Sequence, residues 1–300
     1  MLTFKPIELE DKKIIDPFFK NLNYRASEHC FTNLYAWGQR FNTQFAVSDG
    51  WLFIRFTDNN NRNSYLKPFG TGNIREGIEI MIEDHGKFDS VFQIRGLTKE
   101  MIDEIEAVMP EVFDYNFNRS VSDYIYTSEK LISLSGKKLQ SKRNHINRFK
   151  RENDWSYIPL TGETEFMREC KRMLNEWLNI NGEDKDPTLE YDDFATTLML
   201  ENFDYLGLKG GLICVEGKVA AFTIGEELTK DTFIVHVEKA FTNIHGAYAI
   251  VNQQFAENEA SQYQYINREE DMGIENLRKA KLSYHPDILL EKYVARFKKA

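Results

Sequence analysis

The stretch Gly211–Ala240, GLICVEGKVAAFTIGEELTKDTFIVHVEKA, contains three consecutive β-strand patterns. Runs rich in apolar and β-branched residues at Gly211–Val215, Lys218–Gly225 and Thr232–Lys239 predict strands. The pair Glu216-Gly217 separates the first two runs and is typical of a tight hairpin. This stretch therefore predicts an antiparallel sheet at the centre of the second half of the chain.

The segments on either side of this stretch alternate between helical and strand periodicity. A strand and two helices precede it, and a helix, a strand, a short helix and a last strand follow it, so an α+β fold is expected. The predicted elements are strands at Trp155–Pro159, Tyr263–Asn267 and Leu289–Phe297, and helices at Glu163–Ile180, Asp192–Phe203, Gly246–Ala260 and Ile274–Leu282.

The first half of the chain begins with the same order of elements. A strand near Thr3 and a helix are followed by a hairpin, which Asp49-Gly50 closes as Glu216-Gly217 closes the later one. We therefore expect two tandem domains, 1–130 and 154–300, joined by a basic helix at 131–153. The alternative is a single α/β domain with accessory strands.

The composition favours a folded protein of a reducing compartment. The chain has 300 residues, of which 42% are hydrophobic, and its formal net charge is −9. Three widely spaced cysteines, Cys30, Cys170 and Cys214, give neither a disulfide framework nor a metal-knuckle spacing. No apolar run reaches the length of a signal peptide or of a membrane span, so a cytoplasmic location without a transmembrane segment is expected.

The acidic balance disfavours general binding to nucleic acid, but one segment is strongly basic. Gly136–Arg151 reads GKKLQSKRNHINRFKR and contains no acid. Clustered cations on a helix are typical of phosphodiester recognition, so tRNA or an anionic lipid surface is a candidate partner. The alternative is a linker helix that docks on acidic patches. The candidate contacts are Lys138, Lys142, Arg143 and Arg148.

Four phrases together carry a family resemblance: DYIY at Asp123–Tyr126, KKLQSKRNHINRFKRE at Lys137–Glu152, HVEKAFTNIHGAYAIVNQQFA at His236–Ala256 and INREEDMGIENLRKAKLSYHP at Ile266–Pro286. They resemble the phosphatidylglycerol lysyltransferase C-terminal domain family. The resemblance implies two tandem GNAT-like (GCN5-related N-acyltransferase) domains with mixed central sheets flanked by helices. It also implies transfer of an aminoacyl group from aminoacyl-tRNA to a lipid or another amine or hydroxyl acceptor. The membrane-embedded helices of the lipid-modifying members are absent from this sequence, which leaves the acceptor open.

The segment Ile266–Gly273, INREEDMG, connects a predicted strand to a predicted helix. Ligands bind at the ends of strands in such sheets. Glu269 or Asp271 is suited to accept a proton from an attacking amine or hydroxyl, and Asn267 and Arg268 are suited to bind substrate. The alternative is a solvated acidic turn in which Asp271 caps the next helix.

The short helix after this segment carries Arg278, Lys279 and Lys281. Arg278 and Lys281 share one face, where they are candidates to bind a phosphate of the CCA end or the carboxylate of Glu269. The alternative is that these cations balance the C-terminus of their own helix.

The strand that contains His236-Val237-Glu238-Lys239 places His236 and Glu238 on one face. If that face lies in the splay between the central strands of an acyltransferase-like sheet, Glu238 is a candidate general base. If it packs under a helix, the two residues form a satisfied polar cluster.

The loop Asn243–Ala247 precedes a helix, where acyltransferases of this fold bind the pyrophosphate of coenzyme A. Gly246 and Ala247 are therefore candidate cofactor-binding residues, although Asn243 and Tyr248 depart from the pattern. Acyl-coenzyme A thus remains a possible donor beside aminoacyl-tRNA, and a coenzyme A-dependent N-acetyltransferase is one alternative function. A non-catalytic module that binds tRNA or anionic lipid is another. No metal-binding motif occurs.

Overall fold

Two mixed β-sheets form the scaffold of the computed structural model, which describes residues 2–20, 22–57, 62–181 and 187–298. The strands are β1 (Lys5–Pro6), β2 (Gln44–Ser48), β3 (Trp51–Thr57), β4 (Asn63–Tyr65), β5 (Gln93–Leu97), β6 (Phe113–Phe117), β7 (Asp123–Thr127), β8 (Trp155–Leu160), β9 (Lys209–Val215), β10 (Lys218–Thr229), β11 (Thr232–Ala240), β12 (Tyr265–Asn267), β13 (Ile288–Leu290) and β14 (Tyr293–Phe297).

Helices flank both sheets. They are α1 (Lys12–Phe19), α2 (Phe31–Ala36), α3 (Gly38–Phe41), α4 (Ile74–His85), α5 (Lys99–Val108), α6 (Ser128–Ser133), α7 (Gln140–Glu152), α8 (Thr164–Asn181), α9 (Pro187–Glu201), α10 (Phe203–Leu206), α11 (Ala247–Glu259) and α12 (Glu275–Leu282). None of the described helices is both long and apolar enough to cross a membrane. The loop expected between α8 and α9 lies largely outside the described residues.

The two sheets have the same arrangement of strands. The first has the order β1-β2-β3-β4-β5-β14-β6, and the second, read from its opposite edge, has the order β8-β9-β10-β11-β12-β7-β13. Each begins with four antiparallel strands, continues with one parallel pair, and then adds an antiparallel strand. This repetition confirms the predicted α+β fold with tandem domains and mixed central sheets.

The hairpins on which the prediction rested are also confirmed. β2 and β3 pair through Ser48↔Trp51, and β9 and β10 pair through Val215↔Lys218. Both turns have two consecutive residues with positive φ, at Asp49-Gly50 and Glu216-Gly217. Aspartate or glutamate followed by glycine is suited to this geometry, because two-residue hairpins with the twist of a sheet require positive φ at both positions.

The last strand was wrongly expected to belong to the second half. The predicted strand Leu289–Phe297 is divided into β13, at the edge of the second sheet, and β14, which lies between β5 and β6 of the first. Tyr293 pairs with both Leu97 and Phe117, and Ala295 is fully buried in the first core. β7 shows the converse exchange. It lies in the first half of the sequence, but it pairs with β12 of the second sheet.

Contacts between Cα atoms divide the chain into two interleaved units. The first comprises 1–123, 270–275 and 289–300, and the second comprises 124–269 and 276–288. The contiguous ranges 1–130, 131–153 and 154–300 expected from the sequence differ from these units, because strand pairing joins segments that are distant in sequence. The basic helix is also shorter than expected: Leu134, within the expected range 131–153, adopts a left-handed conformation at the end of α6, and α7 begins at Gln140.

A buried lysine fixes the chain just before β14 in the first unit. Lys292 is fully buried, and its Nζ donates to Asp123 Oδ1 at 2.8 Å and Ser27 Oγ at 2.9 Å and lies 2.7 Å from Glu28 Oε2. Burial alone would lower the pKa of Lys292, but the carboxylates of Asp123 and Glu28 raise it above its ordinary value. The ammonium therefore stays charged and compensates these acids.

Replacing Lys292 with methionine should reduce the free energy of unfolding by about 3–5 kcal/mol, because removing one partner leaves a buried charge uncompensated. Urea denaturation followed by circular dichroism measures the change. Lys99→Met is the matched control, since Lys99 is exposed on α5. A loss no larger than that of the control would show that the ion cluster does not stabilise this unit.

Candidate functional site

The second sheet opens where β11 and β12 stop pairing. Their parallel register runs from Thr232↔Tyr265 to Ile234↔Asn267. β11 then continues to Ala240, while the segment after Asn267 stays hydrogen-bonded to Tyr124 of β7 on its other side. Neighbouring strands that separate in this way leave a gap that is lined by the side chains beyond the last pair. Glu238 of β11 and Arg268, the residue after β12, both lie beyond that pair.

Glu238 and Arg268 bind each other. Arg268 Nη2 donates to Glu238 Oε1 at 2.8 Å, and Asn252 Nδ2 from α11 donates to the other carboxylate oxygen at 3.0 Å. The side chains of Glu238 and Arg268 are only 14% and 10% exposed. Charge-assisted bonds of this kind hold a carboxylate in a fixed orientation.

Two tyrosines and a lysine complete what we call the Arg268 cluster, which consists of Glu238, Arg268, Lys142, Tyr126 and Tyr284. The guanidinium carbon of Arg268 lies 4.9 Å from the ring centre of Tyr284 and 5.8 Å from that of Tyr126. Lys142 Nζ, from α7, lies 4.2 Å from the ring centre of Tyr284. The sequence-predicted residues Glu238, Arg268 and Lys142 are thus brought together.

Burial determines the ionisation in this cluster. It raises the pKa of the Tyr126 and Tyr284 hydroxyls, which therefore stay neutral. It lowers the pKa of Lys142, and the nearby charge of Arg268 lowers it further. For Arg268 burial acts in the same downward direction, but the carboxylate of Glu238 raises the pKa above its ordinary value.

His236 lies on the same strand, two residues before Glu238, and its side chain is fully buried between two acids. Its Nδ1 is 2.9 Å from Glu269 Oε1, and its Nε2 is 3.0 Å from Glu226 Oε1. Burial would lower the pKa of His236, but the hydrogen bonds to Glu226 and Glu269 raise it to about 9. The imidazolium therefore engages the carboxylate of Glu269, which favours a positioning role for this acid.

The turn after β12 is held by side chains that were predicted to bind substrate. Asn267 is buried, and its Oδ1 accepts a hydrogen bond from the backbone N–H of Glu269 at 2.7 Å, where φ is +56°. Lys281 Nζ donates to the carbonyl of Arg268 at 2.5 Å, and Tyr126 donates to the carbonyl of Lys281 at 2.7 Å. These contacts orient Arg268 and Glu269.

Asp271 belongs to the first unit and is fully buried. Its Oδ2 accepts from Arg119 Nη1 at 3.2 Å, and its Oδ1 accepts from the backbone N–H of Gly273 at 2.8 Å. This is a local turn before α12, and it differs from the solvated helix cap considered as the alternative, because Asp271 is buried and its side chain accepts from Gly273, which precedes that helix. In the second unit, Arg278 is half-buried and Lys279 is exposed on α12.

The basic residues of α7, and of the segment just before it, lie in different environments. Arg143 Nη1 donates to the carbonyls of Leu134 and Gly136, the latter at 2.8 Å. Arg148 pairs with Glu152 at 2.8 Å on the surface, and Lys138 is exposed. Only Lys142, among the four predicted contacts, faces the Arg268 cluster. Arg143 thus stabilises the end of α6.

The predicted cofactor loop has a packing explanation. Gly246, with φ +86°, precedes α11, and a Cβ atom there would lie 2.6 Å from the carbonyl oxygen of His145 on α7. His145 Nδ1 also lies 2.8 Å from His245 Nε2. Gly246 and Ala247 therefore allow α7 to approach, and the residues fit a coenzyme A pyrophosphate poorly.

Some members of the site were missed from the sequence. Asn252 lies within a helical apolar pattern, Glu226 within a strand, and Tyr284 after a short helix. The only signal for Tyr126 and Tyr284 was their presence in the phrases that carry the family resemblance. Their partners come from other elements, so local periodicity contains no information about the contacts.

Comparisons with known proteins agree with this architecture. A family model described as phosphatidylglycerol lysyltransferase, C-terminal, matches residues 19–296. A conserved protein of unknown function from Bacteroides thetaiotaomicron is 42% identical, with a TM-score of 0.92 over 99% of this chain and 100% of that one. An uncharacterized protein of Mycoplasmoides gallisepticum is 24% identical over 60% of this chain, and the match spans 57% of that relative.

Two more distant structures share the fold. The C-terminal domain of a putative lysylphosphatidylglycerol synthetase from Agrobacterium fabrum is 12% identical, with a TM-score of 0.66 over 96% of this chain and 91% of that one. L-PGS from Bacillus licheniformis is 17% identical, with a TM-score of 0.64 over 97% and 93%. The predicted tandem GNAT-like fold and family are thereby confirmed.

The buried imidazolium should make stability depend on pH. The pKa of His236 is higher in the folded chain than its ordinary value of 6.5, so its contribution is complete below about pH 6.5 and is lost as pH rises through about 9. Urea denaturation should show that the free energy of unfolding falls by about 3 kcal/mol across this pH window. The His236→Gln variant should not show this fall. His285→Gln, at an exposed position, is the control and should keep it. Equal pH dependence in all three proteins would contradict the ion pairs.

Replacing Gly246 with alanine should destabilise the protein more than replacing Gly217 does. Both glycines have positive φ, but a Cβ on Gly217 would have no heavy atom within 4 Å. Gly217→Ala should cost about 1 kcal/mol for backbone strain, and Gly246→Ala at least about 2 kcal/mol, since it also displaces α7. Thermal denaturation compares them. Equal losses would mean that α7 does not depend on this close approach.

Proposed function

The chain belongs to the phosphatidylglycerol lysyltransferase C-terminal family, and we propose that it transfers an aminoacyl group from aminoacyl-tRNA to an amine or hydroxyl acceptor. The observation that carries the proposal is the Glu238–Arg268 pair beyond the last paired residues of β11 and β12. It provides a fixed carboxylate in the opening of the sheet. Membership of an aminoacyltransferase family supports this type of reaction.

The reaction needs little from the protein beyond positioning and one proton acceptor. An aminoacyl ester is already activated, so holding the acceptor against its carbonyl carbon provides much of the rate. As the acceptor nitrogen or oxygen bonds to that carbon, Glu238 takes the proton that the acceptor atom loses. The bond to the ribose oxygen then breaks, and Glu238 returns the proton to this oxygen.

The neighbours of Glu238 suit this role. Arg268 and Asn252 each donate to a different oxygen of the carboxylate, so its direction is fixed before substrate binds. Preorganisation of this kind avoids reorganisation during the reaction. His236 fixes Glu269, and Asn267 and Lys281 fix the turn that carries Arg268. His236, Asn267 and Lys281 act as positioning residues.

The α7 surface supports a tRNA donor. Lys138 and Arg148 are both exposed, as are Lys137, Lys150 and Arg151 near them in the chain. Several cations on one exposed segment favour phosphodiester binding, because the bound phosphates release their counterions. The net charge of −9 disfavours such binding over the rest of the surface. Arg143 is assigned to α6 instead, because backbone carbonyls already accept its hydrogen bonds.

The chemistry of the site suits more than one class of acceptor. The names of the two lysylphosphatidylglycerol synthetase relatives point to a lipid headgroup, and a small amine or alcohol fits the same chemistry. Acetyl-coenzyme A is disfavoured as donor because α7 packs at Gly246. If the chain is a binding module without catalysis, tRNA should bind and no aminoacyl group should leave the tRNA.

Glu238→Gln should reduce the rate of aminoacyl transfer by about 100-fold or more, since it removes the proton acceptor and keeps the shape of the side chain. The assay follows radiolabelled amino acids from a pool of charged tRNAs into lipid, amine and hydroxyl acceptors, with acetyl-coenzyme A as a separate donor. Glu257→Gln is the matched control, because Glu257 is exposed on α11.

Unchanged transfer by Glu238→Gln would remove this carboxylate from the mechanism. Transfer from acetyl-coenzyme A alone would replace the proposed reaction with N-acetylation. Binding of charged tRNA with no turnover by any acceptor class would favour the non-catalytic module.

A further inference from the structure

The Arg268 cluster contains more cations than acids. Arg268 and Lys142 carry two positive charges beside a single carboxylate, Glu238, which Arg268 and Asn252 already occupy. Two cations on one tyrosine ring repel each other, and that repulsion is part of what lowers the pKa of Lys142. The cluster is therefore short of one negative charge.

The donors of these two cations are also incompletely used. Arg268 Nη1 is buried and has no hydrogen-bond partner among the described residues. Lys142 Nζ contacts the ring of Tyr284, and the described part of the chain offers it no hydrogen bond or ion pair. A buried unsatisfied donor costs about 1–3 kcal/mol, and more when it is charged. The buried Nη1 of Arg268 bears this cost, and together with the half-buried ammonium of Lys142 it favours an acceptor supplied by another molecule.

The donors that remain favour a phosphate over a carboxylate. A planar carboxylate binds arginine through two parallel hydrogen bonds, but Nη2 of Arg268 already donates to Glu238. What remains is the Nη1 group of Arg268, in the turn after β12, and the ammonium of Lys142 on α7. Donors from two separate elements suit the tetrahedrally arranged oxygens of a phosphate, which lysine binds as a point charge.

We propose that Arg268 and Lys142 form a binding site for a phosphate oxyanion beside the ring of Tyr284. The site goes beyond the proposed function, because it binds phosphate whether or not transfer occurs. The phosphodiester at the end of an RNA chain is the favoured source, since Lys142 shares its segment with the exposed Lys138 and Lys150. That assignment of the source rests on the proposed tRNA donor.

Calorimetric titration with inorganic phosphate at low salt tests the site directly. The wild-type chain should bind phosphate saturably, and Lys142→Met should weaken this binding at least tenfold while circular dichroism stays unchanged. Lys218→Met is the matched control: it removes one lysine from the exposed end of a hairpin and should bind as the wild type does. No saturable binding by the wild type, or equal weakening in both variants, would overturn the site.

Lys142→Arg and two competitors complete the test. Arginine at this position keeps a cationic donor and should restore most of the phosphate binding that methionine removes; failure of this rescue in a folded variant would overturn the role of the charge. A short RNA ending in CCA should displace phosphate, whereas displacement only by phosphatidylglycerol vesicles would overturn the RNA assignment. A chain that binds phosphate in this way but transfers no aminoacyl group contradicts the proposed function alone.

Discussion

The end of parallel pairing at Ile234↔Asn267 is the constraint on which the candidate site depends. Before this point, the backbone N–H and C=O groups of β11 and β12 hydrogen-bond to each other. Beyond it, β11 remains attached to β10 through Ala240, so its side chains stay fixed while one neighbouring strand is missing. Glu238 is therefore held in a fixed orientation at the edge of this gap. The backbone of Arg268 stays hydrogen-bonded to Tyr124 of β7, and its side chain reaches Glu238 of β11 across the gap.

Local features of this fold could be predicted from the sequence, and non-local ones could not. The hairpin turns at Asp49-Gly50 and Glu216-Gly217 were predictable because two adjacent residues determine their geometry. The sheet that Tyr293–Phe297 joins was not, since the pattern of a buried strand is the same in either sheet. The repeated order of elements nevertheless gave the tandem architecture correctly, because each half repeats its own local signals.

The same distinction applies to the site. Arg268 was found because ligands bind at the ends of strands, and Glu238 because strand alternation places it on a face that can line the sheet opening. Lys142 was found because it lies in an acid-free segment. Their mutual contacts depend on the separation of β11 and β12 and on the packing of α7, which sequence spacing does not encode. The acids Glu269 and Asp271 looked alike from the sequence, yet one is paired with an imidazolium and the other with a guanidinium and a backbone amide. Burial and partners give such residues their roles.

The position of β14 affects how the chain is made. The ribosome completes β5 and β6 long before it synthesises Tyr293–Phe297, which lies between them in the finished sheet. At typical rates of synthesis this interval is on the order of ten seconds. During that time the edges of β5 and β6 have no final partner, and exposed edges of this kind invite pairing with other nascent chains. The first sheet therefore stays incomplete until Tyr293–Phe297 has been synthesised, and covering its open edges during that interval would limit such pairing.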